Sequence, residues 1–285
     1  MEISRVGVVG AGTMGAGIAQ ICAQFGHPVV LQDLTEEVVA RGLARSRKNL
    51  EGQIAKGRMT ADEVEAVFAR IKTTTRLEDV AESDIVIEAV FEDMPTKKQT
   101  FAALEAICRP EAILATNTSI LSPTEIGAAT KSPQRTIGVH FFNPAPVMKL
   151  VEVTPGLLTA PETVETAVAF CRGIGKTPVV AKESPGGIVS RILIAMRNEA
   201  VDLLADGVAS KEDIDTAMKL GAGFPMGPFE LIDLIGVDIH VINSESMMRE
   251  MGDQKYRPHP LLKKMVRAGL LGRKTGRGFY EYGQK

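Results

Sequence analysis

His140 and Glu152 lie twelve residues apart in this chain, each inside a short apolar run: Gly138-Val139-His140-Phe141-Phe142-Asn143-Pro144 and Lys149-Leu150-Val151-Glu152-Val153. If the two runs are neighbouring strands, the carboxylate reaches the imidazole. A carboxylate held on one ring nitrogen fixes the tautomer and supports positive charge on the ring, leaving the other nitrogen as a general base. On these two residues alone a plainer reading is favoured, in which His140 ends a core strand and Glu152 is an ordinary strand-end charge.

A second constellation changes that weighting. Gly10-Ala11-Gly12-Thr13-Met14-Gly15 follows the apolar run Val6–Val9 and opens a helical pattern. Glycines there permit a tight turn and close approach of the backbone to a pyrophosphate, which the helix N-terminus then faces. Asp33 ends the next apolar run, eighteen residues after Gly15. An acid at that point accepts hydrogen bonds from both ribose hydroxyls and repels a 2′-phosphate, so the cofactor expected is NAD rather than NADP. The competing reading is a structural glycine turn with a chance aspartate. A nicotinamide cofactor gives His140 a reaction, because oxidising an alcohol needs a base for the hydroxyl proton and an acceptor for the hydride. An ordinary histidine titrates near pH 6.5, which suits that task.

The elements that must position these residues follow from pattern. The 285 residues are 45% hydrophobic and 24% charged, a globular composition long enough for two domains. Strand-like runs at Val6–Val9, Pro28–Gln32, Asp84–Val90, Ala112–Ala115, Thr136–His140, Leu150–Val153 and Pro178–Ala181 alternate with helical patterns at 14–25, 36–55, 61–69, 96–108 and 162–172. Alternation of this kind predicts a mainly parallel sheet covered on both faces. After Ser184-Pro185-Gly186-Gly187 helical patterns take over, at 188–204, 211–219, 229–249 and 260–268, with one strand-like run at Phe279–Tyr282. The fold class expected is α/β: a Rossmann-type doubly wound domain over residues 1–184, then an all-α domain over 185–285.

Bulk properties exclude other classes. A net charge of −2 with no basic tail argues against nucleic acid. No leader-like segment precedes Ile3–Val9, and no run approaches the ~20 apolar residues of a membrane span, which predicts a cytoplasmic protein. Cys22, Cys108 and Cys171 are odd in number and far apart, so they read as buried thiols in a reducing compartment. Four histidines without ligand spacing predict no metal.

Together, Gly10–Gly15, Asp33, Asn117-Thr118-Ser119, Gly138–Pro144, Leu150–Val153, Gly221–Asp233 and Lys274–Tyr280 resemble the L-3-hydroxyacyl-CoA dehydrogenases, in length the bacterial 3-hydroxybutyryl-CoA enzymes above all. The resemblance covers nearly the whole chain. It implies reversible hydride transfer between C3 of a 3-hydroxyacyl thioester and NAD, with His140 as the base and Glu152 as its orienting partner. It implies that Ser119 bonds the substrate oxygen and that Asn143 contacts cofactor and site. Glu92 and Lys97 would flank a ribose of NAD, and Lys274 would reach the cofactor from the helical domain. Lys56 would meet CoA, within a basic cluster of Arg45, Arg47, Lys48 and Arg58. The assembly implied is a homodimer through the helical domain.

Most of these residues have a plain structural reading too. Asn117 and Ser119 are common turn formers, Glu92 and Lys97 a solvated helix-start pair, Lys274 part of a Gly-rich surface loop, and the basic cluster a solvated helix face.

The chain departs from the family at one place. The usual pattern Gly-Phe-x-x-Asn-Arg is here Gly186-Gly187-Ile188-Val189-Ser190-Arg191. Ser190, in the position of a site asparagine, keeps a donor and an acceptor but is shorter. Positions three apart share a helix face, so the two losses of volume suggest a reshaped acyl pocket, against the alternative of neutral drift. Two rival functions stay open: a dehydrogenase of a hydroxy or sugar acid without CoA, and a catalytically weak relative kept for a binding or structural role, as crystallin-like relatives are.

Overall fold

The computed structural model describes residues 1–283. The chain forms two compact units, Met1–Gly187 and Ile188 onward.

The first unit is built on one eight-stranded sheet. Its strands are β1 (Val6–Val9), β2 (Val29–Gln32), β3 (Ile71–Thr74), β4 (Ile85–Glu88), β5 (Ile113–Thr116), β6 (Thr136–Phe141), β7 (Leu150–Pro155) and β8 (Thr177–Val180), in the order β3-β2-β1-β4-β5-β6-β7-β8. Every pairing is parallel except β6 with β7. β3 escaped the sequence pattern because Ile71-Lys72-Thr73-Thr74 is an edge strand with polar, exposed positions.

Side chains alternate across a strand, and the two faces have separate cores. Val6, Val8, Ile85, Ile87, Ile137, Val139, Val151 and Val153 pack on one side. There they meet helices α1 (Thr13–Gln24), α2 (Glu36–Ile54), α3 (Ala61–Phe68) and α6 (Pro161–Gly173). Val9, Val86 and Leu114 pack on the other side, under α4 (Met94–Ile107) and α5 (Pro123–Gly127). On β6 and β7 the residues between the core positions are Gly138, His140, Glu152 and Thr154. Alternation therefore turns the polar stripe away from the larger core.

The second unit contains α7 (Val189–Ala205), α8 (Lys211–Gly221), α9 (Pro228–Ile235), α10 (Val237–Met251) and α11 (Pro260–Arg267) around Val201, Phe229, Ile232, Val237 and Leu262. The single helix expected over 229–249 is two helices, because Gly236 takes φ +105° and ends α9. The strand expected at Phe279–Tyr282 does not form. Isolated bridges at Gly272–Arg277 and Arg277–Glu281 take its place, and Asp233 accepts the N–H groups of Phe279 and Tyr280, both at 2.9 Å. Gly278 belongs to this arrangement, since a Cβ there would lie 2.1 Å from the Asp233 carboxylate.

The expected shared helix face of positions 187 and 190 is also absent. α7 begins at Val189, and Gly187 sits in the preceding turn at φ +52°. The argument for an acyl pocket enlarged by both changes fails with it.

Inside the second unit, Arg197 is 5% exposed and its Nε has no hydrogen-bond partner. Burial pulls the guanidinium down to about 10. His240, fully buried beside it, bonds Asn198 through Nε2 at 3.0 Å while its Nδ1 has no partner. An orphaned buried donor costs about 1–3 kcal/mol. Arg197→Met, which keeps apolar volume and removes the charge, is expected to raise the thermal unfolding midpoint by a few degrees in calorimetry. A lowered midpoint would contradict this.

Candidate active site

The register of the one antiparallel pairing puts His140 directly opposite Glu152. Side chains opposite each other on adjacent strands have Cβ atoms about 5 Å apart, and here Nδ1 of His140 comes within 3.3 Å of Oε2 of Glu152. An ionised carboxylate can only accept, so a neutral imidazole bonded to it carries its proton on Nδ1 and presents Nε2 as an acceptor. Both side chains are largely withdrawn from water, at 13% and 3% exposure. The Phe142 ring tilts against the imidazole with centroids 4.4 Å apart. His140 and Glu152 line a concavity together with Thr118, Ser119, Thr154, Ser184 and Gly187.

Ser119 is presented by the turn that follows β5. Oε1 of Glu92 organises that turn, accepting the Thr118 hydroxyl at 2.5 Å, the Ser119 N–H at 2.8 Å and the Ile120 N–H at 3.3 Å. Its other oxygen, Oε2, lies 3.3 Å from the Lys97 ammonium, which also donates to Glu88 at 2.7 Å. Lys97 is fully buried, whereas Glu92 is partly exposed. The solvated pair that the sequence allowed is thus a buried cation between two carboxylates, Glu88 being the one the sequence reading missed. Its signal was an acid ending the apolar run Ile85-Val86-Ile87 with a lysine nine residues on. Asn117 accepts the Phe141 N–H at 2.8 Å, tying this turn to the end of β6.

Asn143 follows β6 in an exposed loop. Lys176, 7% exposed, donates to the carbonyls of Ala145 at 2.6 Å and Met148 at 2.8 Å and so holds that loop. No local pattern marks Lys176, because its partners lie some thirty residues away.

The glycine loop fits a pyrophosphate. Gly10 takes φ +98°, and a Cβ on Gly15 would stand 1.7 Å from the Gly10 carbonyl oxygen. A Cβ on Gly12 meets no atom within 4 Å, so this glycine faces open space at the N-terminus of α1, which has no side-chain cap and no acid in its first turn. Thr13 and Met14 begin that helix, and buried Ala11 precedes it. Asp33 accepts the Ala11 N–H at 2.6 Å and the Leu34 N–H at 2.7 Å, which anchors the acid at the rim of the loop.

The remaining expected residues lie on other elements. Lys56 is exposed beyond α2, while Arg47 pairs with Glu65 at 2.6 Å. Ser190 is the second residue of α7, and Lys274 pairs with Asp238 at 2.6 Å, both in the second unit. That unit has a cleft of its own with Glu199, Asp202, Lys255, Arg257 and His259, charges of both signs. Among the described residues no group of three His, Cys, Asp or Glu could hold a metal, and no helix is long and apolar enough to cross a membrane.

The family model for the 3-hydroxyacyl-CoA dehydrogenase NAD-binding domain matches residues 5–184, and that for the C-terminal domain matches residues 186–282. The chain is 50% identical to a 3-hydroxybutyryl-CoA dehydrogenase of Clostridioides difficile over 98% of this chain and 99% of that one. It is 48% identical to a probable 3-hydroxybutyryl-CoA dehydrogenase of Bacillus subtilis over 100% and 99%. Among solved structures, (S)-3-hydroxybutyryl-CoA dehydrogenase PaaH1 of Ralstonia eutropha superimposes with a TM-score of 0.95 at 44% identity, covering 99% of this chain and 100% of that one.

The buried Lys97 tests the site's scaffold. Lys97→Met leaves Glu88 buried without its cation and is expected to lower stability in urea by about 3–5 kcal/mol. Adding Glu88→Gln should restore most of the loss. Unchanged stability in the single variant would mean that the pair is not buried as described.

Proposed function

The chain belongs to the 3-hydroxyacyl-CoA dehydrogenase family, and from that premise we propose the roles of its residues in the NAD-dependent, reversible oxidation of a 3-hydroxyacyl-CoA to the 3-oxoacyl-CoA. The observation that carries the reading is the His140–Glu152 pair facing the same concavity as Ser119.

Nε2 of His140 takes the proton of the C3 hydroxyl, and Nδ1 keeps its own proton on Glu152. The nearby carboxylate stabilises the imidazolium that results, which lowers the barrier to proton transfer. Ser119 donates to the C3 oxygen and orients it toward Nε2. Its turn is held by Glu92, and Glu92 by Lys97, so these two act as supports of Ser119 on the ribose side of the cofactor. The hydride acceptor for C3 would be supplied by bound NAD. Gly10, Ala11, Gly12, Thr13, Met14 and Gly15 would cradle its pyrophosphate at the positive end of α1. Asp33 would accept the adenosine ribose hydroxyls. Asn143 would contact the nicotinamide end from the loop that Lys176 clamps. In the reverse direction the same imidazole returns the proton.

Ser190 and Lys274, carried by the helical domain, keep the roles of substrate support and cofactor contact in this proposal, and Lys56 that of a CoA contact. The three cysteines are free and buried, which suits a reducing, cytoplasmic setting. A homodimer through the helical domain is favoured by apolar side chains left on that unit's surface: Ile192, Leu220, Leu234, Ile239 and Ile242 are 41–83% exposed.

Initial rates of NADH oxidation test the reaction. Acetoacetyl-CoA should support turnover and free acetoacetate should not. Equal rates would overturn the CoA reading. His140→Ala is expected to lower kcat about 10³-fold while NADH still binds, read from NADH emission in a chain with no tryptophan. Wild-type turnover by this variant would remove His140 as the base. Asp33→Ala should weaken NADH binding about tenfold or more and NADPH binding far less. Equal losses for both would contradict the ribose role.

A further inference from the structure

Four segments line the concavity that holds His140. β6 gives Gly138 and His140, and β7 gives Glu152 and Thr154, both fixed by the sheet. The other two are irregular backbone: the turn that runs from Thr118 into the start of α5, and the segment with Ser184 and Gly187 that follows β8. Glu183 joins these two. Its Oε1 accepts the Ser122 hydroxyl and, at 3.4 Å, the Thr124 N–H, while its Oε2 accepts the Thr124 hydroxyl. Each hydroxyl is engaged on its other side as well. Oγ of Ser122 caps α5 by accepting the Glu125 N–H at 3.0 Å. Oγ1 of Thr124 accepts the Leu157 N–H at 2.7 Å, from the loop after β7. Pro123 lies between them and packs so close to β6 that a Cβ on Gly138 would stand 3.0 Å from its Cγ. Glu92 holds the same stretch at its other end, through Thr118, Ser119 and Ile120. Ser119 is thus suspended between two carboxylates that come from different parts of the chain.

We propose that Glu183 is a positioning residue for Ser119: its carboxylate fastens the segment after β8 to the turn after β5, and so fixes the two irregular walls of the concavity against each other. The inference rests on the role of Ser119 as donor to the C3 oxygen. A carboxylate is the group this place requires. Each hydroxyl already accepts a backbone N–H and has one proton to give, so the group between them must accept from both. An ionised carboxylate accepts on both oxygens, whereas an amide presents one acceptor and one donor. Hydrogen bonds to an ionised acceptor are also stronger than neutral ones. Loss of the fastening leaves the sheet intact, since β6, β7 and β8 keep their ladders. It frees the turn that presents Ser119, and with it the C3 oxygen relative to Nε2 of His140. A misplacement of about 1 Å can cost about a hundredfold in rate. The glycine loop and Asp33 follow β1 and β2, beyond β4 in the sheet order, so cofactor binding should not depend on this contact.

Three variants of the full chain test the fastening. Glu183→Gln keeps the shape and turns one acceptor into a donor facing the hydroxyls. Thr124→Val keeps the shape and removes one hydroxyl, while Thr124→Ser keeps the hydroxyl. The readout is a single turnover of enzyme preloaded with NADH and mixed with saturating acetoacetyl-CoA. Glu183→Gln and Thr124→Val are expected to lower its rate constant about tenfold at undiminished amplitude, and Thr124→Ser to stay within about twofold of the unaltered chain. A smaller folded fraction would do the reverse, lowering the amplitude and leaving the rate constant alone. Glu183→Gln combined with Thr124→Val should lose less than the product of the two single losses, since both act on one contact. NADH binding, read from its emission, should be retained throughout. An unaltered rate constant in Glu183→Gln would overturn the proposal, whatever its amplitude or thermal midpoint. So would losses that multiply fully, or a loss in Thr124→Ser equal to that in Thr124→Val. An unaltered rate constant in Ser119→Ala would instead overturn the reading of Ser119 beneath it, so the two failures are distinguishable.

Discussion

The antiparallel pairing of β6 with β7 is the constraint on which the site depends. In a sheet otherwise made of parallel ladders, this pairing places two residues only twelve apart directly opposite each other, His140 against Glu152. Strand alternation does the rest. Val139, Phe141, Val151 and Val153 belong to the larger core, so the residues between them turn to the other face. A slip of one residue in register would exchange the two sets, burying the carboxylate in the apolar core and exposing the valines. The cost of that exchange makes the pairing a consequence of the core.

Around this pair the structure spends buried charge to hold short polar turns. The Lys97 ammonium lies between Glu88 and Glu92, and Glu92 gathers the donors of the Ser119 turn. Lys176, buried and facing two carbonyls, does the same for the loop beyond Asn143. Burying a charge is costly unless it is paired or hydrogen-bonded, so each of these turns has few alternatives once the core has formed. The glycines serve the opposite need. They remove side chains where the backbone must meet something closely, as at the loop before α1.

Much of this was legible from residues alone. Short runs rich in apolar residues marked seven of the eight strands, and the glycine loop with Asp33 marked the cofactor edge. The strand that escaped, β3, carries its pattern on an exposed edge, where burial does not enforce alternation. Gly236 split a helix that periodicity joined, because its apolar spacing continues across a residue at φ +105°. The segment at Phe279–Tyr282 had strand-like residues without a partner strand and is held instead by Asp233. The burial of Lys97 could not be foreseen either, since a lysine near a helix start is usually solvated and its partners come from other elements. Gly187 was visible as a departure, but its left-handed backbone angle was not.

The central claim is that Glu152 holds the proton on Nδ1 of His140 and leaves Nε2 free to act as base. Nitrogen-15 NMR of the imidazole reads this tautomer directly. At neutral and mildly alkaline pH the neutral ring of His140 should show a protonated Nδ1 and a bare Nε2, and Glu152→Gln should disturb that preference. A neutral His140 protonated at Nε2, or a tautomer indifferent to Glu152→Gln, would contradict the claim.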